Sequence, residues 1–257
     1  MSRFDVYLDG IALSSISPKI YITNINESEP RVRMTTDDNA KYIGSRLRTR
    51  RVTDREVEIV YMVRERGVSR RAQIMDDISA WVHDGRLAVN YRENMFLPVY
   101  FASIPTPASS LDWTDELSLT FAAYSPYWRS LYPIRTSSDL TANTKTDVNF
   151  YPTGNSETFL EFSVENTSAS TLNTLTVETG GRKFEFEGLG LTNGQTFEVS
   201  YGDNEILRIT ANGASALAKR TADSDDDLLL QPRAQNVVSI TSDVAATIHL
   251  QARGRYI

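Results

Sequence analysis

"LSLTFAAYSPYWRS", Leu117 to Ser130, is the stretch on which the reading of this chain turns. Leu117, Leu119, Phe121 and Ala123 alternate with Ser118, Thr120 and Ala122, the period-2 pattern of a strand with one buried face. Tyr124-Ser125-Pro126-Tyr127-Trp128 then ends the run. A proline has no amide hydrogen for a ladder, and its ring restricts the residue before it, so Pro126 stops the strand and fixes the direction of exit. Large aromatic surface is thus placed just where the strand gives out.

The residues upstream predict a β unit with one helix. Phe4, Val6 and Leu8 precede Asp9-Gly10, a hairpin-type turn, and Ile20 and Ile22 mark another short strand. Val57, Ile59, Tyr61 and Val63 form a period-2 face opposite Glu56, Glu58 and Arg64. The period then changes. Ile74, Met75, Ile78, Trp81 and Val82 recur at helical spacing, with Ser69 as the expected N-cap and Gly85 as the expected residue just past the helix end. Short strands at Leu87–Tyr91 and Phe96–Ile104 follow, and Pro105-Thr106-Pro107 breaks the chain before Leu117.

Arg31 to Arg55 is charged and has no matching apolar face, yet Val32, Met34, Tyr42, Ile43 and Leu47 punctuate it. It is too long for an ordinary loop. We expect an extended hairpin arm that leaves its own domain and packs on a neighbouring subunit through Arg46, Arg48, Arg50 and Arg51. RLRTRR also invites a nucleic-acid reading, but Asp54, Glu56 and Glu58 stand beside it, and residues 1–134 balance 17 basic against 17 acidic residues. Backbone binding to nucleic acid needs a net positive field. Ion pairs between subunits fit better.

After Ser130 the texture changes. Thr136 to Thr158 is rich in Ser, Thr, Asn and Asp and suits a linker or the edge of a new domain. Short strands follow from Phe159 to Ala252, separated by Gly180-Gly181, Asn193-Gly194, Gly202-Asp203-Asn204 and Asn212-Gly213. Such strands without a helix predict a jelly-roll β-sandwich. The whole net charge of −6 lies in this half, another sign of two units with different surfaces. Of the 27 basic residues 22 are arginine, which suits desolvated protein contacts and equally suits a genome that favours Arg codons.

Little here offers chemistry. There is no cysteine, and His83 and His249 fall in different halves without a ligand partner at metal-binding spacing. Asp225-Asp226-Asp227 is contiguous and runs into Leu228, unlike an interleaved calcium loop. No phosphate loop, nucleophile elbow or acid–base pair can be named, so no enzyme, cofactor or metal is expected. All three tryptophans, Trp81, Trp113 and Trp128, fall in the first half, leaving Tyr151 and Tyr201 as the aromatic plates for a sugar in the second. A soluble lectin-like module acting through that second half is the alternative function. The polar start MSRFDVYLDGIAL holds no signal core, and no apolar run approaches the ~20 residues that span a bilayer, so a protein made in a cytoplasm and not sent to a membrane is expected.

The order of parts resembles the distal tail proteins of phages with long, non-contractile tails. An Arg-rich arm leads to EVEIVYMV; the helix RRAQIMDDISAWV and a short strand follow; LSLTFAAYSPYWRS closes the unit; a helix-free β domain comes last. That family often carries "DPYWY" at the strand end, where this chain has Ser125 in place of Asp and Arg129 in place of the final aromatic. The resemblance implies a mainly-β protein. Residues 1–134 would be a tail-tube-like β-sandwich with one helix, closing a ring of six copies. Residues 135–257 would be a galectin-like jelly roll outside the ring, able to hold a receptor-binding protein or a cell-surface glycan. The ring would sit at the distal end of the tail in the virion, with the tube protein on one face and a trimeric tail-associated hub protein on the other, and DNA would pass through without specific binding. Tyr124, Pro126, Tyr127 and Trp128 would then lie at the domain junction. A passage that must not hold DNA favours carboxylates on its wall, and Asp37, Asp38, Asp76 and Asp77 are the candidates.

Overall fold

A computed structural model of the chain describes residues 4–29, 32–37, 46–52, 55–103 and 115–257, with the backbone alone for 32–37 and 46–52. It divides into two compact units, Met1–Trp128 with Ile257, and Arg129–Tyr256.

The first unit is built on β1 (Val6–Leu8), β2 (Ile11–Ala12), β3 (Ile20–Glu27), β4 (Val32–Asp37), β5 (Arg46–Val52), β6 (Glu56–Val63), α1 (Val68–Trp81), β7 (Gly85–Val89), β8 (Met95–Ser103) and β9 (Glu116–Ala123). Seven strands form an antiparallel sheet in the order β2-β1-β7-β8-β9-β6-β3. β1 and β2 turn at Asp9-Gly10, both at positive φ (48° and 84°), where glycine and Asp are tolerated and most residues are not. The alternation in Glu56–Val63 is realised: Val57, Ile59, Tyr61 and Val63 are buried. Val57 pairs with Phe121 and Ile59 with Leu119, so both strands turn one apolar face to the core. α1 adds Ile74, Met75, Ile78 and Trp81 to that core. The Trp81 ring meets Phe121 edge-on at 6.3 Å, and its Nε1 donates to Ile11 O at 3.0 Å.

The helix ends differ from the sequence expectation. Gly67, not Ser69, is the N-cap, and no side chain caps the helix there. At the other end Val82 is already extended (ψ 121°), as suits a β-branched residue, so Gly85 opens β7 instead of closing the helix. Its lack of a side chain is needed there: a Cβ would lie 2.5 Å from Asp9 Oδ2.

β10 (Trp128–Ser130) carries the chain into the second unit. There β11 (Ile134–Leu140), β12 (Thr146–Phe150), β13 (Thr158–Phe159), β14 (Glu161–Asn166), β15 (Leu175–Thr179), β16 (Arg182–Phe186), β17 (Thr196–Tyr201), β18 (Leu207–Ala211), β19 (Ala214–Ser215), β20 (Leu229–Leu230), β21 (Asn236–Ser242), β22 (Ala246–Ala252) and β23 (Arg255–Tyr256) follow. The sheets β11-β22-β14-β17-β18-β19 and β12-β21-β15-β16 enclose one core, in which Phe162, Phe184, Phe186 and Phe197 are buried. This is the sandwich without an α-helix that the short strands predict; a single 3-10 turn, Leu217–Lys219, is its one helical element.

Of the two readings of Thr136–Thr158, linker or edge of a new domain, the strands favour the edge: β12 and most of β11 lie in it. Both are edge strands, each paired along one side only. An edge strand buries little, and Thr136 and Ser138 on the half-buried side of β11 carry no apolar signal to read. Arg129, the first residue of this unit, is already fixed within it. Its Nη2 donates to Asp203 O and to Glu205 Oε1, both at 3.0 Å, and Arg255 Nη2 donates to the same Glu205 oxygen. Residues 129–256 expressed alone are therefore expected to unfold in one cooperative step, followed by circular dichroism; a broad, non-cooperative melt would mean that this unit borrows its stability.

Candidate assembly site

The arm that the sequence predicts is an antiparallel ribbon, β4 with β5. Its register continues that of the sheet. From the pair Glu27↔Val57 to the pair Val32↔Val52, one strand advances five residues and the other retreats five, so none is gained or lost between them. β4 and β5 form a two-stranded sheet of their own, with the same residue offset as the β3–β6 pair. They pair with no other strand among the described residues. Six residues of strand extend ~20 Å at about 3.3 Å each. Arg46, Arg48, Arg50 and Arg51 all lie on β5, and a register shift at Thr35/Thr36 leaves Arg48 as the extra residue of a bulge. Asp37 lies on β4 across from Arg46, and Asp38 falls outside the described residues.

Where the ribbon leaves the sheet, one carboxylate gathers five donors. Glu27 Oε2 accepts from Arg55 Nη1 (2.7 Å), Arg92 Nη2 (2.9 Å) and Trp128 Nε1 (3.0 Å). Its Oε1 accepts from Tyr91 OH (2.7 Å) and Arg92 Nε (3.1 Å). The Arg92 guanidinium also lies 4.9 Å from the Trp128 ring centroid, a cation–π distance. Burial by itself would push the Glu27 carboxyl up. Hydrogen bonds from Arg92, Tyr91 and Trp128, with the Arg92 charge, outweigh it and hold the group below the usual carboxylate range. Burial lowers the Arg55 pKa, opposed by the charge of Glu27. The two strands are stitched at the same level: Ser28 N–H donates to Glu56 O, and Glu56 N–H to Ser28 Oγ.

This gives Trp128 a definite task. Its indole is fully buried, and its one polar atom helps to fix the root of the ribbon. Nothing in the sequence singled out Glu27, because its partners stand 28 to 101 residues away. Of the other residues at the strand end, Pro126 is buried and Tyr127 half-buried. Tyr124 is exposed and meets Tyr100 at 5.1 Å between ring centroids. Trp128→Phe keeps a ring in place and removes the donor. A hydrogen bond to a charged group contributes about 1.5–3 kcal/mol, so the unfolding free energy of the first unit, read from its denaturation curve, should fall by an amount of that order.

Asp76 and Asp77 are exposed on α1, and Gln73 Nε2 donates to Asp77 Oδ1 at 3.0 Å. In the second unit a groove of about 680 Å³ lies over β11, β22, β14 and β17, lined by Arg135, Ser137, Ser163, Glu198, His249 and Gln251 among others. Phe162 on that lining is 2% exposed and presents no face to the groove, which leaves the His249 imidazole as its exposed ring. Tyr201 stacks on Phe159 at 4.1 Å. Among the described residues no group of three His, Cys, Asp or Glu side chains is placed to hold a metal.

No family model matches the sequence, and no curated protein does. Solved structures do match. The chain is similar to the phage SPP1 Dit protein (gp 19.1), described as a paradigm of the hub adsorption apparatus in phages that infect Gram-positive bacteria. The TM-score is 0.70 and the identity 14%, over 99% of each chain. It is also similar to a chain of the phage P2 baseplate in its activated conformation with calcium, at TM-score 0.53 and 10% identity over 98% of this chain and 97% of that one. The strontium form of the same baseplate gives 0.50 and 11%, over 97% of each. The likeness is one of fold and runs through both units.

Proposed function

We propose that this chain is a structural protein of a phage tail tip, a hub that closes a ring at the distal end of a long non-contractile tail. The observation that carries the proposal is the full-length likeness of fold to the SPP1 hub protein, which takes in both units in order. The ribbon adds support from the chain itself: it spends about a dozen ordered strand residues on pairing that adds nothing to its own sheet. Such an element is explained by a surface on another molecule.

In this proposal the first unit forms the ring and the second stands outside it. Six copies, the tube protein on one face and a trimeric hub protein on the other follow from the family resemblance. Head-to-tail contacts close into a ring when the rotation between copies permits. A central passage lined by polar and mildly acidic groups would let DNA through without holding it. The outer unit would carry a receptor-binding protein, and the role is one of assembly and not of catalysis.

The particle mass tests this. At tens of micromolar, mass photometry or light scattering of the pure chain should give a closed multiple of 28.9 kDa, with a ring visible in negative stain. Even a weak interface of about −6 to −7 kcal/mol associates in that range. A stable monomer there would overturn the proposal.

A further inference from the structure

Two residues of the second unit hold a backbone conformation that their side chains do not favour. Glu205 sits at φ 61° and Arg233 at φ 53°, in the left-handed region. The other described non-glycine residues found there, Asp9, Asn94, Asn143 and Asn212, are Asp or Asn, whose short side chains tolerate it. A long side chain gains nothing locally from that conformation. Strain of this kind persists only where the surrounding structure imposes it, so what each side chain reaches is informative.

Both reach the same place, the two ends of the unit. Arg129 is its first residue and Arg255 its last but one. Their side chains, only 8% and 9% exposed, converge on the Glu205 carboxylate. Arg129 Nη2 also donates to Asp203 O, and Arg255 Nη1 to Glu157 O. The Arg255 guanidinium lies over the Phe159 ring at 4.4 Å, and that ring stacks on Tyr201. Arg233 Nε donates to Gly154 O at 3.0 Å, and the loop it steadies closes on the backbone of Arg255. Asn155 N–H and Ser156 N–H both donate to Arg255 O. Gly154 itself stands at φ 109°, and a Cβ there would lie 2.4 Å from that same oxygen.

The segment that enters is bound to the segment that leaves as well. Ser130 N–H donates to Gly254 O, and Arg253 Nη1 donates to the carbonyls of Ser130 and Leu131. Directly beyond lies β11, whose first pair is Ile134↔Ala252. β11 is poorly held by its own burial. It pairs with β22 alone, and Leu140, at its far end, is its one buried residue. Such a strand opens from the end where it buries least, which is the entry end. Lifting it would bare the edge of β22, whose Ile248 and Leu250 belong to the core, and an open edge of that kind invites pairing with another chain.

We propose that Glu205, with Arg129 and Arg255, is a clasp that shuts the two ends of the second unit and keeps movement of the connection at Arg129 from peeling β11 off β22. One carboxylate shared by both arginines couples the ends, because neither can leave without disturbing the partner of the other. The arginine side chains are nearly dry, so a freed one would stand buried and unpaired, at a high cost. The strained backbone serves the same task. Gly202 N–H donates to Ile206 O and Glu205 N–H to Gly202 O, a tight turn that directs the carboxylate back at the two ends. Glycine would suit that backbone better, and the carboxylate is what explains a glutamate there.

Hydrogen exchange of the full-length chain, read by mass spectrometry, tests it. Glu205→Gly relaxes the backbone and removes the carboxylate; Glu205→Gln keeps the shape and removes the charge. In Glu205→Gly the amides of residues 131–136 should exchange at least about ten-fold faster than in wild type, as the loss of a hydrogen bond to a charged group implies. The rise should shrink toward Leu140, and Glu205→Gln should show the same pattern at smaller amplitude. β15 and β16, in the other sheet, should exchange as in wild type. An unchanged rate over residues 131–136 in Glu205→Gly overturns the clasp. So does a rise of equal size in β11, β15 and β16, which would make Glu205 a contributor to overall stability alone. If Glu205→Gly does not fold, Glu205→Gln decides by the same two criteria.

Discussion

Glu27→Ala is expected to lower the stability of the first unit by about 3–5 kcal/mol, the usual cost of removing one partner from a buried ion pair. The side chain of Arg55 is 4% exposed and that of Glu27 13%, so water cannot take over the lost bonds. Arg92, Tyr91 and Trp128 would lose the same acceptor. For a unit of this size about 3 °C accompanies each kcal/mol, so the first unfolding transition should fall by roughly 10–15 °C. The transition of the second unit should stay in place. An unchanged first transition would show that the cluster does not hold the root of the ribbon.

The same carboxylate sets a pH dependence. Its folded pKa lies below the usual range, so its contribution is fully present above the pKa of the unfolded chain, near 4.5, and is lost as pH falls through the folded value. The wild-type first unit should therefore weaken below about pH 4.5 more steeply than Glu27→Gln, which has no carboxylate to protonate. Parallel slopes in the two proteins would count against this assignment.

Replacing Val32–Val52 with Asn-Gly should abolish assembly and leave a folded monomer. The register of β3 with β6 is complete at Glu27↔Val57, so the replacement removes no ladder from the sheet, and Asn-Gly suits a two-residue hairpin turn. The two measurements are particle mass, expected to drop to that of one chain, and the first unfolding transition, expected to hold. A particle of unchanged order would mean that the ribbon has another role.

Some of this molecule is written in its local sequence. Alternation in Glu56–Val63 and Leu117–Ala123, and helical spacing from Ile74 to Trp81, mark the elements of the first unit, because a strand or helix with one buried face must repeat its apolar residues at its own period. The charged stretch between β3 and β6 announces an arm by having no apolar face to bury. Strands β11 and β12 are a different case. Lying at sheet edges, they bury little, and their Ser, Thr and Asn leave a period with almost no amplitude.

Only the tertiary structure decides the rest. That the arm continues the register of the sheet depends on which residue faces which across two strands, and neither strand carries that information alone. That Trp128 is an anchor and not just filling depends on Glu27, 101 residues away. Periodicity reports how much of each residue is buried, because burial is imposed by the element in which the residue sits. It does not report which buried donor meets which acceptor. That choice is made when distant segments close on one another and every polar group taken out of water must find a partner.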